Sequence, residues 1–206
     1  YNSFVKVKEF ITSPRYIITI ILFLTLCHIF ILLIDGAFWD GVQILTVIES
    51  KEFDLLKMNA LQHGGLSLYY FHLPFSVFEN PSFVYKLSGF LCILILGIIL
   101  FLFLKNFEPF ISKQEALIIT LFSLSFPAYH VYFEIIMLPY TVFSIFFWLG
   151  NLLLVDFYFR QVKNAPVLLA GIILISLSTF IPSYAVLYAP LVGLLLFFKL
   201  VENKPR

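Results

Sequence analysis

Two carboxylates, Asp35 and Asp40, and two glycines, Gly36 and Gly41, stand where an almost uninterrupted apolar run over residues 16–34 ends. A carboxylate at membrane depth is costly unless it has a partner or a task, so an acidic pair where an apolar helix surfaces reads as a functional site. Proton transfer is the chemistry open to it, because a carboxylate within hydrogen-bond reach of a proton can take it as a general base. On one continuous helix the two cannot act together, since their spacing leaves them about 140° apart. Gly36 can break the helix and relax that limit. The plain alternatives are a polar helix end marking the interface for Asp35 and, for Asp40, an N-cap on a helix beginning near Val42.

Lys86 brings a cation to the start of the second apolar run, where the competing reading is an anchor snorkelling to the interface. His130 and Glu134 are one helical turn apart and share a face if helix reaches them; an interfacial turn without a role is the simpler view. His63 and His72 lie in a loop rich in aromatics (Tyr69, Tyr70, Phe71, Phe75, Phe78). No spacing there reads as a metal site, so a structural role is expected. His28, inside the first apolar run, is expected to be neutral and hydrogen-bonded to another helix, as packing glue more than as a proton relay.

The elements that must position these residues are membrane helices. Hydrophobic residues make up 61% of the chain, charged ones 12%, and the mean hydropathy is +1.00, far from soluble proteins, where those fractions run near one half and one quarter. A net charge of +1, with no basic stripe to neutralise phosphates, argues against nucleic acid as a partner. Cys27 and Cys92 both fall in apolar runs, pack as small hydrophobes, and make no disulfide framework. The run 16–34 is too long for a secretory signal and lacks its small-residue cleavage site, so it is read as a retained helix.

Six segments approach the length of about 20 helical residues needed to cross the bilayer: 16–34, 84–104, 115–133, 139–159, 166–181 and 183–198. The last two are kept apart because the polar cluster Ser176, Ser178, Thr179, Pro182, Ser183 lies between them, and proline removes a helical hydrogen bond. The expected fold class is therefore all-α: a single polytopic transmembrane helical bundle over 1–206, with about six spanning helices. Lys and Arg are retained on the cytoplasmic side. With the N-terminus inside, ten of the thirteen basic residues fall there, against Lys51, Lys57 and Lys86 outside. The outer face then holds Asp35, Asp40, Glu49, Glu52, Asp54, Glu79 and Glu134. The long outer loop, 35–83, carries Val42, Leu45, Ile48, Leu55 and Leu56 at roughly helical spacing among charges, which predicts helices lying in the interface.

The order of these features resembles the N-terminal half of the GT-C superfamily of polytopic membrane glycosyltransferases, which includes protein O-mannosyltransferases and bacterial aminoarabinose transferases. In that family the first helix ends at an acidic residue opening a long outer loop, the place taken here by Ile34-Asp35-Gly36-Ala37-Phe38. A small-residue run followed by tyrosines, and a basic residue just before the second helix, look similar in Gly64-Gly65-Leu66-Ser67-Leu68-Tyr69-Tyr70 and Tyr85-Lys86-Leu87-Ser88. A third outer turn with Pro, Tyr and charges is echoed by 126–134, including His130 and Glu134, and a polar break with Thr and Pro by Thr179-Phe180-Ile181-Pro182. The family often has Asp-Glu where Asp35-Gly36 stands and arginine where Lys86 stands. Its members continue for several more helices, so this chain is expected to be a fragment of a longer protein.

The resemblance implies transfer of a sugar from a polyprenyl-phosphate-type lipid donor to an acceptor on the non-cytoplasmic face. Asp35 or Asp40 would be the general base on the acceptor. Lys86 would meet the leaving phosphate as its charge develops, and His130, Glu134, Tyr69 and Tyr70 would line the substrate. The expected partners are the lipid-linked sugar donor and membrane lipid. No cofactor is certain, and a divalent metal stays open. The expected location is a bacterial or archaeal cytoplasmic membrane with the N-terminus cytoplasmic. Two readings of other classes remain: half of a transporter, whose sites form at broken helices near the midplane, and a non-catalytic membrane scaffold. The polar residues gather on one membrane face here, which is unlike the former.

Overall fold

The computed structural model describes residues 14–34, 40–63, 70–107, 110–125, 138–159 and 165–179. Helix α1 (Pro14–His28) starts at a proline, whose fixed φ and missing N–H suit a first helical position. It does not run on as α-helix through the apolar stretch. After His28 the winding tightens into a 3-10 segment, Ile29–Leu33, and Ile34 leaves it in extended conformation.

Two short helices come next, α2 (Asp40–Glu49) and α3 (Phe53–His63). Between them Glu52 N–H donates to the Val47 carbonyl (3.0 Å) and Lys51 N–H to that of Ile48 (3.3 Å), with Lys51 at φ 59°. That is a Schellman stop with lysine in the left-handed position that glycine usually fills. The apolar side of these helices is turned into the protein: Leu45, Ile48 and Leu56 are buried, while Val42 and Leu55 stay exposed.

A 3-10 turn, Leu73–Val77, leads to α4 (Pro81–Lys105). This helix begins three residues before the expected 84, because Asn80 Oδ1 accepts the Phe83 N–H at 2.9 Å and Pro81 stands at the first helical position. Apolar patterning cannot register a polar cap. At α5 (Lys113–Ser125) a capping box does the same: Ser112 N–H donates to Glu115 Oε2 (2.8 Å) and Glu115 N–H to Ser112 Oγ (3.3 Å). Helices α6 (Leu138–Phe159) and α7 (Ala165–Ser178) complete the described elements.

Contacts fix the directions. Tyr16 at the start of α1 meets Phe101 near the end of α4, ring centroids 5.6 Å apart, whereas Lys86 near the start of α4 reaches Ile34 beyond the end of α1; the two run antiparallel. His28 Nε2 donates to the Leu124 carbonyl at 2.8 Å, so α1 and α5 end together. Leu138 shares a cluster with Tyr85, and Val155 one with Phe103 and Phe107, which makes α6 parallel to α4. Gly97 lets α1 close on α4, since a Cβ there would lie 2.7 Å from Leu24 Cδ1. Helices α6 and α7 touch backbone to backbone at Gly150 and Gly171, the small-residue contact that membrane helices use in place of a hydrophobic driving force.

The fold is an all-α helical bundle, with no strand among the described residues. Three helices are long and apolar enough to cross a membrane, Pro14–Leu33, Pro81–Lys105 and Leu138–Phe157, and they mark a membrane protein. Helix α7, of 14 residues, is a shorter apolar helix. Of the other expected spans, residues 126–133 and 183–198 lie outside the described residues. Two buried polar side chains bond to their own helix, which satisfies them in an apolar surrounding: Thr120 to the Ala116 carbonyl (2.8 Å) and Asn151 to that of Phe147 (2.7 Å).

Candidate functional site at the outer-loop end of the bundle

One end of the bundle gathers the mouth of α1, helices α2 and α3, the 3-10 turn and the first turns of α4. Lys86 sits in the second turn of α4 and is only 3% exposed. Its ammonium donates to the Ile34 carbonyl, 52 residues away. Burial of that degree replaces the snorkelling reading. The acceptor lies at the C-terminal end of a helical segment, where carbonyls lack intrahelical partners and the dipole favours a cation. Ile34 immediately precedes Asp35 in the sequence. The position of Asp35 itself lies outside the described residues.

On the other side of the same α4 turn, Tyr85 is 1% exposed. It enters a cluster with Ile44, Leu45, Val47 and Ile48 of α2, Leu56 of α3 and Leu138 of α6. Its hydroxyl hydrogen-bonds His72 Nδ1 at 2.9 Å, and its ring stacks on Phe75 at 3.8 Å and 11°. Phe71 meets the imidazole edge-on at 5.5 Å. Burial pushes His72 from 6.5 down to about 4, because an imidazolium there would lose its hydration. The ring is therefore neutral at physiological pH, and its Nδ1 either accepts from the phenol or donates to it according to tautomer.

Asp40 opens α2, two residues earlier than the helix start expected near Val42. Tyr70 is exposed in the turn before His72. Tyr69, His130 and Glu134 lie outside the described residues. The structure thus joins Lys86 to the Ile34 carbonyl and rests the α2 helix on the neighbouring Tyr85. Sequence reasoning gave His72 only a general structural role and assigned Tyr85 none. Residues 13 apart across a loop carry no spacing rule, and only the aromatic richness of the segment hinted at a packed contact.

Among the described residues no group of three or more His, Cys, Asp or Glu side chains could hold a metal ion. No protein-family model, no curated protein and no solved structure matches this chain.

Proposed function

We propose that this chain is part of a membrane glycosyltransferase of the GT-C type, moving a sugar from a polyprenyl-phosphate-type lipid to an acceptor on the non-cytoplasmic face. The observation that supports the reading is the buried Lys86 ammonium on the carbonyl that precedes Asp35. A charge so far from water is costly unless an anion offsets it. On this reading the anion that Lys86 meets during the reaction is the phosphate of the lipid donor.

In the proposed reaction Asp35 takes the proton of an acceptor hydroxyl while the acceptor oxygen bonds to the anomeric carbon. The bond from that carbon to the phosphate oxygen breaks, and the phosphate leaves with the electron pair. Lys86 stabilises the charge as it grows on the leaving oxygen. Asp40, at the head of α2, is the second candidate base, and Tyr70, exposed in the same loop, is a candidate contact for the sugar or acceptor, together with Tyr69, His130 and Glu134.

The test is turnover of a labelled lipid-linked sugar in membranes holding the full chain. Asp35→Asn is expected to lose about 100-fold or more, the usual contribution of a general base. Lys86→Met is expected to lose on the order of 100-fold, and Lys86→Arg less, since arginine keeps the charge. Full turnover in both Asp35→Asn and Lys86→Met would remove the reading.

A further inference from the structure

Tyr85 and Lys86 are consecutive on α4, so their side chains leave the helix about 100° apart. One enters the cluster under α2 and α3; the other reaches the end of α1. Whatever fixes the first therefore fixes the second. We infer that the His72–Tyr85 hydrogen bond, with Phe75 stacked on the same phenol ring, is a latch that sets this turn of α4 and so positions Lys86 on the Ile34 carbonyl.

Three features of the geometry support a latch over passive packing. The other buried members of the cluster around Tyr85 are aliphatic, with Phe53, Phe71, Phe75 and Cys92 packed at its edge; apolar contacts tolerate small slips, whereas a hydrogen bond has a preferred direction and length. The phenol is held on two independent sides, by the imidazole at its hydroxyl and by the Phe75 ring 3.8 Å away on its face. His72 and Phe75 belong to the turn that closes the outer loop onto α4, so docking of that loop and placement of the ammonium are one event. His72 and Tyr85 are then positioning residues, acting through Lys86. This deepens the transferase reading, on which any catalytic value of Lys86 rests.

The test separates the latch from the reaction. The full chain in detergent micelles is labelled with a small amine-reactive reagent, and modification of Lys86 is quantified by mass spectrometry against the exposed Lys51 and Lys57. In the native protein Lys86 is protected. Tyr85→Phe, which keeps the ring and deletes only the hydroxyl, is expected to raise Lys86 labelling about fivefold, the factor one buried hydrogen bond contributes to a local opening. His72→Leu should do the same, while His72→Asn, whose amide can still meet the phenol, should restore protection. Unchanged Lys86 protection in Tyr85→Phe and His72→Leu would overturn the inference, and so would an equal rise at all three lysines, since that marks general loosening. Turnover is read on the same samples. A protein that protects Lys86 through the latch yet keeps full turnover in Asp35→Asn and Lys86→Met keeps this inference and sinks the transferase reading. A chain that transfers sugar equally well with and without the hydroxyl, Lys86 staying protected, does the reverse.

Discussion

Burial of the His72 imidazole makes the stability of the whole protein depend on pH. Its folded pKa is about 4 against 6.5, so as pH falls the unfolded chain binds a proton before the folded one does. Stability is fully present above pH 6.5 and is lost as pH falls toward 4, where the loss levels off at about 3 kcal/mol. The measurement is a difference, so that contributions common to both proteins cancel. The gap in unfolding free energy between the native protein and His72→Asn should narrow steadily from pH 7 to pH 4; a constant gap would contradict the burial. Lys86 could be picked from the sequence, being a lone cation at the head of an apolar run. Its burial could not, because the carbonyl it meets is 52 residues away and no local pattern encodes that contact. Nor could the partnership of His72 with Tyr85.

At the level of elements, caps and crossings decide more than the apolar pattern reveals. Apolar periodicity located α1, α4 and α6, but it misplaced the start of α4, which depends on Asn80 and Pro81, and it passed over the change to 3-10 winding after His28, where every residue from Ile29 to Leu33 is equally apolar. Lys51 occupies a left-handed stop between α2 and α3. Lys51→Gly should stabilise the protein by about 1 kcal/mol, because glycine has no Cβ to strain in that conformation; chemical denaturation would read it. The α6–α7 crossing gives an ordered pair. A Cβ at Gly150 would lie 2.7 Å from Ile175 Cγ1 and 3.0 Å from the Gly171 carbonyl oxygen, whereas one at Gly171 would come no closer than 3.1 Å, to Leu154 Cδ2. Alanine adds about 1 kcal/mol of helix propensity at either site, while overpacking costs about 1–3 kcal/mol. Gly150→Ala should therefore lower the melting temperature, and Gly171→Ala should leave it nearly unchanged. The reverse order would mean that the helices cross elsewhere.

Across the whole molecule, the charged side chains gather at the two ends. Arg15, Lys105 and Lys113 lie with Glu115 and Asp156 at the end where α1 begins and α4 finishes, and Glu49, Glu52, Asp54 and Glu79 lie at the other, with Lys51, Lys57 and the buried Lys86. The proposed function puts the outer-loop end on the non-cytoplasmic face, an orientation open to a direct test. In a chain with Cys27 and Cys92 replaced by alanine, a cysteine at Lys57 should react with a membrane-impermeant maleimide on sealed cells. A cysteine at Gln114 should react only after permeabilisation, and the opposite pattern would invert the assignment. The all-α class and the membrane setting were legible from composition alone, since 61% hydrophobic content leaves few other folds. The convergence of distant segments at one end was not, because it depends on which helices lie side by side. The overwound close of α1 has a last consequence. Rewinding Ile29–Leu33 from 3-10 to α pitch would shorten that stretch by about 2.5 Å and turn the chain beyond it by about 100°. Ile34 thus rides on the tip of a screw, and the lysine gripping its carbonyl holds it from turning.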